Sequence, residues 1–161
     1  NNMKRSMMTF VARHREFFKT VNIITTGSTG TALETKLGLT IKQKVASGPL
    51  GGDQQIGGLI ASHDVAGVFF FIDPLSAHPH AADIRALTRI CEVHNCACAS
   101  NVIMGEALVH AFRTSHMHQN LLHKATKNRK SSIVKAYLGN QKKVIKAVAT
   151  EEKSTPEEGS N

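Results

Sequence analysis

Residues 67–73 read GVFFFID, with five apolar side chains in unbroken succession. A strand with one wet face alternates apolar and polar residues. A run with no alternation therefore predicts a strand buried on both faces, the condition of a parallel sheet covered by helices. The flanking sequence keeps the matching rhythm. VNIITTG, IKQKVAS and CACASN have strand composition, while TALETKLGL, QQIGGLIAS, ADIRALTRICEVHN and GEALVHAF have helical spacing, the first of them stopped by Gly38. Ahead of them Met3, Met7, Phe10, Val11, Phe17 and Phe18 fall near helical spacing, which predicts one amphipathic helix from Met3 to about Val21 with Asn2 as its cap. Alternation of this kind predicts an α/β fold, a parallel sheet with helices on both faces in three layers. Such a fold opens on a strand and this chain opens on a helix, so the reading expects a first strand upstream of Asn1.

The chain has 161 residues, the length of one domain with a real core. Its boundaries are drawn at 1–112 for the α/β domain, 113–150 for a basic, partly helical extension broken near Gly139-Asn140, and 151–161 for a disordered acidic tail. The formal charge of +8 is concentrated late: from Ala107 to Thr150 there are nine Lys or Arg and no Asp or Glu. Only Phe112 and Tyr137 supply aromatic rings there and no base-reading motif accompanies them, so a solvated basic face is the reading and nucleic acid is not an expected partner. No apolar run approaches the roughly 18 residues of a membrane span, and a membrane is not expected either. Cys91, Cys96 and Cys98 are odd in number and closely spaced, which argues against a disulfide framework and for a reducing compartment, the cytoplasm, with an organelle left open by the unusual N-terminus.

In parallel sheets, ligands collect beyond the carboxyl ends of the strands, and the polar motifs of this sequence fall at those ends. TGSTG, residues 26–30, places the hydroxyls of Thr26, Ser28 and Thr29 with Gly27 before a helix whose unpaired N–H groups and dipole suit a phosphate dianion. It is neither a P-loop nor a dinucleotide fingerprint, so no nucleotide is implied. SGPLGGDQQ, residues 47–55, adds Ser47 and the Gly48 N–H, and packs glycines around one acid, Asp53. At a helix start Asp53 is an N-terminal cap by default; it becomes a general base where a bound substrate desolvates it beside a C–H made acidic by a carbonyl. DPLSAHPHAADIRAL supplies Asp73, His78, His80 and Asp83, with His80 and Asp83 three apart at a helix start, a spacing that lets the carboxylate orient the imidazole. The HPH, HMH and His94/Cys96/Cys98 groupings do not make a four-ligand zinc set, and no metal or other cofactor is expected. Cys96 and Cys98 read as small core residues of a buried strand.

Taken together, TGSTG, SGPLGGDQQIGGLI, FFIDPLSAHPHAADIRALTR and ASN ending at Asn101 resemble the consecutive motifs of the methylglyoxal synthase family over about residues 3–112. The resemblance implies a Rossmann/flavodoxin-like fold and a cofactor-free enzyme that converts dihydroxyacetone phosphate to methylglyoxal and inorganic phosphate, in a homohexamer. It implies that Lys4, Thr26, Gly27, Ser28, Thr29, Ser47 and Gly48 hold the phosphate. Asp53 would take the proton, His80 oriented by Asp83 would serve the substrate oxygens, and Asp73 would complete the polar wall. The family's first strand ends in a His, a usual Asp and a Lys; Lys4 matches the last, Asn1 takes the Asp position, and the His position precedes the chain. The family's C-terminal arginine has no counterpart in either Arg113 or Arg129. The competing expectation is a non-catalytic regulatory module of the same fold that binds phosphate or a small metabolite.

Overall fold

A computed structural model describes residues 2–76, 81–117 and 132–151. Its contacts divide the chain into two units, Asn1–Arg129 and Lys130–Asn161. In the first unit the amphipathic opening folds as two helices, α1 (Asn2–Arg13) and α2 (Arg15–Lys19), rather than the single helix expected, and α1 already includes Asn2. The break falls at His14, whose backbone leaves helical values (φ −103°, ψ 23°). Its physical reason is a side-chain anchor. His14 Nε2 lies 2.6 Å from Glu106 Oε2 and Arg13 Nη1 donates to Glu106 Oε1 at 2.8 Å, fixing the junction while α2 turns Phe17 and Phe18 into the core.

Strand β1 (Ile24–Thr26) pairs in parallel with β2 (Gln43–Val45), Ile24 opposite Gln43 and Thr26 opposite Val45. Between them runs α3 (Gly27–Leu37), ended at Gly38, whose N–H bonds to the Glu34 carbonyl, while Arg15 Nε donates to the Leu37 carbonyl. A 3₁₀ turn (Gly48–Leu50) and α4 (Gly52–Ala61) follow β2. The apolar run supplies β3 (Gly67–Phe69), parallel to β4 (Ala97–Ala99), with α5 (Ala81–Val93) as the crossover. The ladder continues past the formal strand, with Phe70 N–H to the Ala99 carbonyl and Ile72 N–H to the Ser100 carbonyl. Helix α6 (Val102–Met117) begins earlier than its apolar spacing suggests, because the Asn101 carboxamide accepts from the Met104 N–H and caps it.

Among the described residues the strands thus form two separate parallel pairs, β1–β2 and β3–β4. What joins them is side-chain packing. One apolar cluster takes Phe10 and Val11 from α1, Phe17 and Phe18 from α2, Leu33 from α3, Phe71 and Ala99 from the β3–β4 half, and Val109 from α6. Phe10, almost wholly buried, lies against the rings of Phe18, Phe69 and Phe71. A second cluster of Ile60, Val68, Leu87, Cys91 and Cys96 lies where α4 and α5 pack along each other, on β3 and β4. The paired strands are therefore covered by helices in the α/β manner that the uninterrupted run requires.

The second unit contains α7 (Ser132–Glu151). It is continuous through Gly139-Asn140, where a break was expected. A glycine costs a helix only about 1 kcal/mol, and Gln141 Nε2 bonds to the Tyr137 hydroxyl across that point. No helix among the described residues is long and apolar enough to cross a membrane.

Candidate functional site

Parallel pairing fixes where the loops go. With Thr26 opposite Val45, the TGSTG and SGPLGGD segments leave neighbouring strands at the same end, and α3 and α4 both begin at that end. The Gly27 α-carbon faces the Val45 carbonyl, so the two exits touch. At the first exit, Thr26 is extended (φ −66°, ψ 151°) ahead of α3 and makes no side-chain cap bond. Its hydroxyl instead donates to Thr29 Oγ1 at 3.3 Å. Lys4, reaching across from α1, donates from Nζ to Ser28 Oγ at 3.2 Å. A cation, three hydroxyls and the N-terminal end of a helix thus meet at one spot, which is the composition of an anion site.

The second exit shows why glycine crowds Asp53. Gly51 has φ 91°, a left-handed value that a side chain resists, and it turns the chain from the 3₁₀ segment into α4. At Gly52 an added Cβ would strike the Ala46 carbonyl, so the absence of a side chain lets α4 start against the end of β2. Asp53 follows in the first turn of α4, 2% exposed. Gln55 ties the loop down, its Oε1 accepting from the Ala46 N–H at 2.8 Å. Ser47 precedes the 3₁₀ turn without a side-chain cap bond, and its carbonyl accepts from the Leu50 and Gly52 N–H groups.

The other strand pair contributes from its corresponding ends. Asp83 stands in the first turn of α5 and accepts from Gln54 Nε2 at 2.5 Å, a bond that links it to the residue next to Asp53. Asp73, beyond β3, accepts from the Leu75 N–H at 3.2 Å and from the Ser76 hydroxyl at 2.7 Å, so its carboxylate shapes its own turn. His78 and His80 lie outside the described residues. An open cleft of about 250 Å³ lined by Arg5, Ser6, Thr9, Phe10, Arg13 and Val102 contains none of the candidate site residues read from the sequence, and its apolar floor, Phe10, belongs to the core.

A model of the MGS-like domain matches residues 6–100, more than half of the chain. The chain belongs to the MGS-like family. Among its relatives, the methylglyoxal synthase of Carboxydothermus hydrogenoformans is 44% identical over 111 residues, covering 69% of this chain and 91% of the relative. That of Thermus thermophilus is 42% identical over 106 residues, covering 66% and 83%. A crystal structure of methylglyoxal synthase from Elizabethkingia anophelis aligns with a TM-score of 0.64 at 38% identity, over 68% of this chain and 71% of that one. Within this MGS-like domain, two site features escaped the sequence reading: the Gln54–Asp83 bridge and the Gln55 anchor. The signal was present, since DQQ puts two amides in the first turn of the helix that presents the acid, but an amide at a helix start reads as ordinary surface.

Proposed function

We propose that this member of the MGS-like family is a carbon–oxygen lyase that converts dihydroxyacetone phosphate to methylglyoxal and inorganic phosphate. The observation that carries the proposal is the placing of Asp53, buried at the N-terminus of α4, on the strand end adjoining the Lys4–Ser28 and Thr26–Thr29 pairs at the N-terminus of α3. Relatives named methylglyoxal synthase support the same reading. In this mechanism Lys4, Thr26, Ser28 and Thr29, with the N–H groups of Gly27 and Gly48 and the Ser47 hydroxyl, hold the phosphate. A dianion there is stabilised by the cation and by the helix end. Asp53 takes a proton from the hydroxyl-bearing carbon beside the carbonyl. The electron pair forms an enediolate, whose oxygens need donors at the moment charge develops, a role that the family resemblance gives to His80 with Asp83 three residues on. Asp73 closes the polar wall through its turn. The electrons then return, the C–O bond to phosphate breaks, and the enol left behind tautomerises to the oxoaldehyde.

We further propose that the working enzyme is a cytoplasmic homo-oligomer. Support comes from Leu50, Leu75, Ile103 and Met104, large apolar side chains exposed in this unit, which all follow the carboxyl ends of strands. The deciding experiment is turnover. Full-length protein mixed with dihydroxyacetone phosphate should release phosphate and methylglyoxal in equal amounts. Phosphate binding without turnover would replace the lyase with a regulatory module of the same fold.

A further inference from the structure

The chain's three cysteines, which the reaction does not use, come together where α5 meets β4. Cys91 lies on the buried side of α5, and the chain then turns back through Asn95 at φ 52°, with the Cys96 N–H bonded to the Cys91 carbonyl at 2.8 Å. Cys96 and Cys98 are two residues apart at the head of β4, so their side chains leave the same face of the sheet. That face is the one covered by α5, and Cys98 packs against the cluster in which Cys91 and Cys96 are buried. Cys91 and Cys96 are buried and Cys98 is partly exposed. Among the described residues no set of three His, Cys, Asp or Glu side chains is arranged to hold a metal ion. Chemistry between the sulfurs is what this arrangement offers.

The two ends of the cluster differ in character. The neighbouring Cys91 thiol holds the Cys98 thiol below the ordinary cysteine range, against desolvation and the charges of Cys96 and Glu92. The neighbouring thiols of Cys96 and Cys98, with burial, push Cys91 above it. The more acidic thiol is thus also the one that solvent reaches, the combination expected of an attacking sulfur.

We propose that Cys98 and Cys91 form a dithiol–disulfide site that responds to peroxides. The Cys98 thiolate attacks one oxygen of the peroxide; the S–O bond forms, the O–O bond breaks, and hydroxide leaves to take up the proton the thiol gave to solvent. Cys98 is now a sulfenic acid, oxidised by two electrons. Cys91 gives up its proton, its sulfur attacks Cys98, the S–S bond forms and water departs. The sum is two thiols and one hydrogen peroxide giving one disulfide and two waters. A disulfide holds its sulfurs about 2.05 Å apart, closer than any non-bonded contact allows, so oxidation draws α5 onto β4. Asp83 sits at the far end of that helix, and β4 runs into Ser100, whose carbonyl anchors the residue before Asp73.

The test treats reduced full-length protein with hydrogen peroxide in native buffer, blocks remaining thiols with N-ethylmaleimide, and maps peptides without reduction. The expected result is loss of two of the three free thiols within single chains and a Cys91–Cys98 linked peptide. The link should persist in Cys96→Ala and vanish in Cys98→Ala, with circular dichroism confirming that both variants fold. A Cys91–Cys96 link, links only between chains, sulfinic acid without a disulfide, or thiols that react only after unfolding would each overturn the proposal. The wild-type map decides the matter without any variant.

Discussion

Asp53 is a carboxylate withdrawn from water at a helix end where negative charge is favoured. Asparagine keeps its shape and its ability to accept a hydrogen bond while removing the base. Asp53→Asn should therefore lower turnover of dihydroxyacetone phosphate by roughly 10²- to 10⁴-fold, the range a positioned general base supplies. Calorimetry should show phosphate affinity kept. Loss of affinity with turnover intact would make Asp53 part of the anion site instead. Asp53 and the hydroxyls of TGSTG could be picked out of the sequence because their residue types carry chemistry and their neighbours fix the loop, whereas Lys4 came only with the family resemblance. Gln54 and Gln55 were not, since an amide is informative only once its partner is known. Asp73 was legible as a polar strand-end residue but not as the acceptor of its own turn. His80 falls outside the described residues, so its part in the proposal rests on the spacing to Asp83.

Elements enter the site through close approach, and α4 shows it best. Gly52 leaves no room for a methyl group before the Ala46 carbonyl, whereas an added Cβ at Gly57 in the same helix meets nothing within 4 Å. Gly52→Ala should cost about 1–3 kcal/mol by overpacking against backbone, and Gly57→Ala should stabilise by about 0.4–1 kcal/mol by restricting the unfolded chain. Denaturant melts of the two variants check both signs. The joint of α1 and α2 with α6 gives a pH dependence. Desolvation pushes the Glu106 carboxyl up, but the hydrogen bonds and charges of His14 and Arg13 outweigh it and hold the group below its ordinary value. Its contribution is complete above the unfolded carboxylate range, near pH ~4.3, and is lost as pH falls through the lower folded value. The melting-temperature gap between wild type and Glu106→Gln, open at pH 7, should close in acid. That joint also explains why the opening helix was read wrongly from spacing: apolar periodicity carries on through His14, and only the distant partner Glu106 reveals why the backbone does not.

At the scale of the whole molecule, the parallel α/β order was readable from one run of five apolar residues and the punctuation around it, because burial on both faces leaves few alternatives. How the strands group was not readable, since pairing depends on contacts between distant segments. The exposed rim of Leu50, Leu75, Ile103 and Met104 bears on assembly, Leu75 being 96% exposed. Leu75→Glu together with Ile103→Glu should lower the mass seen by light scattering if the rim is an interface between copies. An unchanged mass would exclude the rim from that role. Finally, the pairs β1–β2 and β3–β4 share no backbone ladder among the described residues, and Phe10 spans the junction between their halves. Coherence between the anion-binding half and the half that bears Asp73 and Asp83 thus rests, besides the packing of α4 on α5, on one benzyl group and its neighbours. In Phe10→Leu, deuterium should enter the amides of one pair well before the other, turning a single all-or-none opening into two.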